Sequence, residues 1–324
     1  MNHIRNLSFF GICMAFVVIA LGAWTRLVDA GLGCPDWPGC YGFVTFPVSE
    51  ADIAIAESRF PTFEYDINKV IPEVVHRYFA AGLGLLSIFL VYFSFTKTRD
   101  RYIRGWSLFL LFFICCQGLF GYLTVSLKLL PIIVTTHLFG GFTTLLLLYF
   151  LYLKSRNFKI FNQINISNLK FIASIAFVVL LLQIFLGVWT STNYASLACA
   201  DFPTCGGSYF PEMDFKNGFN LNQEVGPNYL YGLLDNPARV AIHYSHRVTA
   251  ILVTLIFLIL MSRLWFSDAA PLASTLGILL LTQITLGIIN VVYVLPLYVA
   301  IAHNLVAACL LLATFTINYL AWKK

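Results

Sequence analysis

This sequence is poor in charge: 20 Lys and Arg with 15 Asp and Glu make up 11% of 324 residues, while 59% are hydrophobic. A soluble globule of that length needs more polar surface than this, so that class is excluded and the bilayer is the expected solvent. Short, alternating, turn-punctuated apolar segments are also lacking, which excludes a transmembrane barrel. No Arg- and Ser-rich leader opens the chain, which favours a bacterial plasma membrane over a mitochondrial inner membrane. What is present is a series of long apolar runs near residues 7–27, 72–96, 105–125, 132–153, 169–192, 238–262, 271–293 and 297–321. Each is long enough to cross a ~30 Å hydrocarbon core at ~1.5 Å per residue. Backbone groups in lipid must be satisfied within the segment, so the class is an all-α integral membrane protein of eight transmembrane helices. A cleavable signal peptide is the alternative for the first run, but that run exceeds a usual signal core.

The few charges are sorted by sign. Arg5, then Lys97, Arg99, Arg101 and Arg104, then Lys154, Arg156, Lys159 and Lys170, and finally Arg263, Lys323 and Lys324 fall on one side of the spans. The positive-inside rule makes that side cytoplasmic and places both termini there. Most acids fall in two loops on the other side, among them Asp29, Asp36, Glu50, Asp52, Glu57, Glu64 and Asp66 in the first and Asp201, Glu212, Asp214 and Glu224 in the second. The net charge of +5 reflects this sorting and implies no nucleic-acid partner.

Displacing the chain against itself by roughly 165 to 170 residues aligns chemically distinctive strings. GAWTRL at 22–27 meets GVWTST at 187–192, and GCPDWPGCYG at 33–42 meets ACADFPTCGG at 198–207. VVHRYFA at 74–80 meets YSHRVTA at 244–250, Gln117 and Gly121 meet Gln283 and Gly287, and HLFGG at 137–141 meets HNLVA at 303–307. The expected architecture is therefore two pseudo-symmetric four-helix bundles, residues 1–160 and 161–324. With an even number of spans in each, the pseudo-twofold is expected along the membrane normal.

The duplication turns scattered histidines into pairs. His3 belongs to the cytoplasmic tail, but His76 and His137 lie at similar depth in spans 2 and 4, and His246 and His303 repeat them in spans 6 and 8. An ionisable residue in a membrane tends to face the bundle interior with a partner. Two imidazoles on different helices suit a planar cofactor ligated on both faces, and haem iron is the natural candidate metal. Interhelical hydrogen bonding is the plain alternative for one histidine, and matched pairs weaken it. Zinc or copper would want a third ligand, and none repeats. Arg77 and Arg247, next to these histidines, either meet haem propionates or extend to the interface.

Cys34 and Cys40, like Cys199 and Cys205, are spaced C-x5-C in loops whose compartment permits disulfides. Each pair is either bonded or two free thiols; metal binding is weaker, because no histidine accompanies them at zinc-site spacing. Cys13, Cys115, Cys116 and Cys309 fall in spans and read as small core residues. The copies differ three residues before their first histidine, with Glu73 in one and His243 in the other. Glu73 shares a helix face with His76 and suits general-base work there; the competing reading is stabilisation of a first helical turn after Pro72.

The strings TRLVDAGLGCPDWPGCYG, PEVVHR, HLFGG, CADFPTC, SHR and AHN, spread over both halves, resemble the haem A synthase family of cytochrome oxidase assembly. The resemblance implies eight helices in two related bundles and oxidation of the C8 methyl of haem O to a formyl group by two successive two-electron steps. Carried over by position, His76 and His137 would bind the substrate haem O, His246 and His303 a resident haem b, with Glu73 catalytic and Cys34 and Cys40 paired beside the site. It further implies an enzyme supplying haem O, an electron acceptor, and room for a homo-oligomer. The histidines alone also fit a di-haem electron-transfer cytochrome that oxidises quinol, or a haem transporter or chaperone.

Overall fold

The apolar runs become helices, and aspartate caps set the start of two of the spanning ones. In a computed structural model describing residues 1–156, 166–267 and 269–323, α1 spans Asn2–Leu27, α2 Glu50–Arg59, α3 Ile67–Lys97, α4 Arg101–Ser126 and α5 Pro131–Ser155. A 3-10 turn at Ser167–Leu169 leads into α6 Lys170–Thr192, followed by the single turn α7 Phe215–Gly218, α8 Asn236–Trp265, α9 Ala270–Val292 and α10 Leu297–Trp322. Among the described residues, eight helices are long and apolar enough to cross a membrane. Lys159, Lys324 and the expected boundary at 160/161 lie outside the described residues.

Hydropathy located the apolar centres but not the ends. Asp66 accepts a hydrogen bond from Asn68 N, so α3 starts at Ile67, ahead of Pro72. Glu73 thereby lies beyond the first turn, which removes helix-end stabilisation as its explanation. Asp100 caps α4 by accepting from Tyr102 N and Ile103 N. His3, expected in a solvated tail, is part of α1 and stacks on Phe93 with ring centres 5.3 Å apart.

The described residues divide into two compact units. Met1–Ser155 together with Asn222–Tyr231 form the first, and the rest form the second. In the first, α1 packs on α3 and α5, and α4 packs on the same two; in the second, α6 packs on α8 and α10, and α9 on the same two. Helix surfaces away from these contacts remain apolar: α4 buries only Ile103, Ser107 and Leu110 and exposes Phe109 and Phe112. Lipid solvates such a face as well as protein does, so apolarity does not report burial here. That is why the expectation of core cysteines fails: Cys13 and Cys115 are exposed and Cys116 and Cys309 only half-buried.

The first long loop carries a small core of its own. Cys34, Cys40, Tyr41 and Ala56 bury against Val70 and Val74 of α3, with Phe43, Phe60 and Tyr65 packed around them. Tyr41 is 1% exposed, and its hydroxyl donates to Glu64 O at 3.1 Å. Burial, and next the neighbouring Tyr65, push the Tyr41 phenol up to about 12. The unfolded phenol ionises near its ordinary value of about 10, so this group's contribution to stability is complete below that pH and is lost as pH rises toward 12. Titration followed by tyrosinate absorbance is expected to show a phenol ionising at about 12, together with loss of the loop's protease resistance; Tyr41→Phe should remove that step.

Candidate functional site

The two loop cysteine pairs sit at disulfide distance, with sulfurs 2.05 Å apart for Cys34 and Cys40 and 2.03 Å apart for Cys199 and Cys205. Each closed loop is knotted by an aspartate. Asp36 accepts from Tyr41 N and Gly42 N, and Asp201 accepts from Gly206 N, Gly207 N and the Thr204 hydroxyl. The Thr204 hydroxyl first, then the Gly207 and Gly206 amides, pull the Asp201 carboxyl down to about 2.

One arginine ties each loop to its spanning helix. Arg77 Nη1 donates to Asp36 O at 2.9 Å and Gly39 O at 2.7 Å. Arg247 repeats this, donating from Nη1 to Thr204 O at 2.8 Å and from Nη2 to Cys199 O at 2.8 Å and Asp201 O at 2.9 Å. Sequence reasoning weighed haem propionates or interfacial extension for these arginines and missed the loop carbonyls. A propionate contact would have to share guanidiniums that the loops already engage.

What the arginine meets next distinguishes the units. Glu73, 4% exposed, receives Arg77 Nη2 on Oε1 at 2.5 Å and the Cys34 backbone N–H on Oε2 at 2.9 Å. The carboxylate is thus held from both sides, one of them by the cysteine loop itself. In the second unit His243 Nε2 accepts from Arg247 Nε at 3.2 Å.

The histidines gather as pairs in the first unit: the His76 and His137 ring centres are 6.3 Å apart with the planes at 90°. An imidazole nitrogen lies about 1.2 Å from its ring centre and about 2 Å from a bound metal, so linear ligation of one metal by two imidazoles separates the ring centres by about 6.4 Å. The observed spacing fits. Every one of the four rings also packs on a glycine of a neighbouring helix. A Cβ at Gly22 would stand 3.0 Å from His76 Cε1, at Gly187 3.0 Å from His246 Cε1, at Gly121 3.5 Å from His137 Cε1 and at Gly287 3.3 Å from His303 Cε1. These glycines occupy matching places in the two units, and a Cβ would press on the ring at Gly22, Gly187 and Gly287 but make only ordinary contact at Gly121. His76 Nδ1 and His137 Nδ1 are buried with no hydrogen-bond partner, so no side chain competes for these rings. Among the described residues no cluster of three His, Cys, Asp or Glu side chains forms, so each site offers two imidazoles. The donor set suits haem iron, with His76 and His137 as one candidate ligand pair and His246 and His303 as the other.

Fold and site together define a multi-pass α-helical membrane protein with paired intramembrane histidines beside cysteine-closed loops. The chain belongs to the COX15-CtaA family, cytochrome oxidase assembly protein, whose model matches residues 5–315. It is 43% identical to the Heme A synthase of Shewanella oneidensis over 310 residues, covering 95% of this chain and 93% of that protein. It is 28% identical to the Heme A synthase of Rickettsia felis over 327 residues, with 94% and 93% covered. The Heme A synthase of Pelagibacter ubique is 26% identical over 341 residues, with 98% and 97% covered.

The loop anchors should differ in cost. Arg77→Ala strands a buried carboxylate and is expected to destabilise by about 3–5 kcal/mol, whereas Arg247→Ala removes a partner only from neutral groups and should cost about 1–3 kcal/mol. Thermal unfolding of both variants in detergent measures the difference; equal losses would contradict a charged Glu73.

Proposed function

We propose that this chain is a haem A synthase, an oxidoreductase converting the C8 methyl of haem O to the formyl group of haem A for cytochrome oxidase. The observation that carries the reading is the exchange of Glu73 for His243 at matching places beside otherwise matching histidine pairs. One unit thereby owns a buried carboxylate one turn from its histidine, and the other does not. End-to-end likeness to proteins named Heme A synthase supports the same assignment.

In this reading residues 1–160 are the catalytic half and 161–324 the cofactor half, two versions of one four-helix plan with both termini cytoplasmic. The sorting of lysine and arginine supports that orientation, and a bacterial plasma membrane is the expected location. His76 and His137 bind the substrate haem O on its two faces. His246 and His303 hold a resident haem b, which when bound supplies an electron-transfer centre. Conversion of the methyl consumes one water and releases four electrons and four protons in two equal stages. Two axial histidines leave the substrate iron without an open position, which favours removal of electrons and a proton from the methyl, followed by addition of water.

Glu73 is the proton acceptor in this scheme. Arg77 and the Cys34 amide each engage one of its oxygens and the Gly33 amide also bonds the carboxylate, which fixes its direction and leaves a lone pair for the incoming proton. The loop closed by Cys34 and Cys40 therefore acts on the chemistry through the carboxylate it orients. Haem O comes from the enzyme that makes it, and the electrons leave to a separate acceptor.

Glu73→Gln is expected to retain both haems while turnover falls by about 100-fold or more. His76→Ala and His137→Ala should lose substrate haem as well. Pigment extraction from cells supplied with haem O reads these outcomes, and the absence of haem A from the unmodified protein would sink the assignment. With isotope-labelled water the formyl oxygen should carry the label; label only from dioxygen would overturn the water-addition step.

A further inference from the structure

The two histidine pairs rest on matching glycines, but they differ in what holds the rings. In the second unit, Gln183 Nε2 lies 3.1 Å from His246 Nδ1 and donates to His246 O, also at 3.1 Å. Gln283 Nε2 lies 3.1 Å from His303 Nε2. Each ring of that pair therefore has a glutamine against one of its nitrogens.

Among the described residues, the first pair has no glutamine so placed. Gln183 stands four residues before Gly187, and the residue four before Gly22 is Val18. The counterpart of Gln283 is Gln117, whose amide is the group nearest Gly140. Where the first unit has Gly140, the second has Val306 in the aligned string, and a valine there leaves no such recess for a glutamine. His76 Nδ1 and His137 Nδ1, like His303 Nδ1, have no side-chain partner, and backbone groups of Val18 and Gln117 lie beside the first pair as those of Gln183 and Gln283 lie beside the second, so the units differ in the side chains.

A ligating imidazole binds metal through one nitrogen and carries a proton on the other. A dedicated acceptor for that proton fixes the ring and makes the ligand more electron-rich. Gln183 Oε1 is buried and unpartnered, and a half-turn of its amide would set that oxygen against His246 Nδ1 while giving up the bond that Nε2 makes to His246 O. His246 Nε2 then remains for the metal. In the first unit Val18 offers no side-chain acceptor to His76.

We propose that Gln183 is a positioning residue that makes His246 a tightly held ligand, so that the haem of the second unit stays while Val18, its counterpart, leaves the first pair able to release its haem. This deepens the proposed function and rests on the assignment of the four histidines as haem ligands. It supplies what that assignment lacks, a reason for one of two similar pairs to retain a cofactor and the other to exchange a substrate and product.

The test uses the full-length protein in detergent, with His137→Ala as background so that the second pair alone is read. Haem release to excess apomyoglobin and the midpoint potential of the remaining haem are measured for Gln183→Leu, Gln183→Glu and His246→Ala. Gln183→Leu is expected to release haem about 10- to 100-fold faster and to raise the potential. Gln183→Glu, which keeps an acceptor of the same length, should restore slow release and lower the potential, a pair of opposite shifts that loss of packing would not produce. Unchanged release and potential in Gln183→Leu, while His246→Ala loses its haem, would overturn the proposal and leave the ligand assignment standing. Retention of haem by His246→Ala would instead overturn the ligand assignment on which it rests. In the otherwise unmodified chain, Val18→Gln should slow haem release from the first pair; unaltered release would count against the contrast between the units.

Discussion

The site depends on a guanidinium that joins helix to loop. Arg77 projects from α3 one residue after His76 and bonds the carbonyls of Asp36 and Gly39. The loop can therefore neither lift away from the helix nor rotate over it without leaving those N–H groups unpaired, a cost of about 1–3 kcal/mol for each buried group. The same guanidinium meets Glu73, whose other oxygen is bonded by the loop at Cys34 N. Helix, loop and carboxylate thus form a closed circuit in which the position of each is set by the other two. Arg247 makes the corresponding tie, bonding His243 Nε2 and directing a further N–H to Cys199 O, but His243 Nδ1 has no hydrogen-bond partner, so the ring does not close the circuit to the loop.

Much of this was legible because the repeat supplied a second reading of each residue. The spans and the pairing of His76 with His137 follow from hydropathy and self-alignment, which depend on residue type and spacing alone. The helix starts were less accessible, since Asp66 and Asp100 act through capping hydrogen bonds that hydropathy does not register. The intramembrane cysteines misled for a different reason. In a bilayer an apolar residue on the outer face loses nothing relative to the core, so the buried face of a spanning helix is marked by small residues and polar partners. Gly22, Gly121, Gly187 and Gly287 are such marks, and their alignment was visible, but that each lies under a histidine ring was not. The bonds of Arg77 and Arg247 to backbone carbonyls leave no trace in residue identity, because any loop residue offers the same carbonyl.

The differences between the units carry more chemical information than the likenesses. Likeness fixes a frame: four spanning helices, a loop closed by two cysteines and knotted by an aspartate, an arginine tie and a glycine under each ring. Among the many exchanges between the copies, three lie about the histidines: Glu73 for His243, Val18 for Gln183, and Gly140 for Val306. Each acts within one helical turn of a ring or on a side chain that touches one. None alters a helix end, a cysteine or a glycine that lies under a ring.

Their placement fits the physical demands on a membrane bundle. A polar group in lipid has no water to fall back on, so exchanges that add one are tolerated only where a partner already waits. Beside Arg77 a carboxylate finds a counter-charge and a backbone N–H, and beside His246 a glutamine finds a ring nitrogen and a carbonyl. On the outer faces of α4 or α9 the same side chains would meet hydrocarbon. The interior of each unit is thus the one place where the copies could acquire different polar chemistry without losing the fold, and the histidine pairs already lay there. A frame whose outside must stay apolar and whose inside holds two imidazoles gives polar divergence a place at the site, so a single architecture can present one pair beside a carboxylate and the other beside hydrogen-bonding amides.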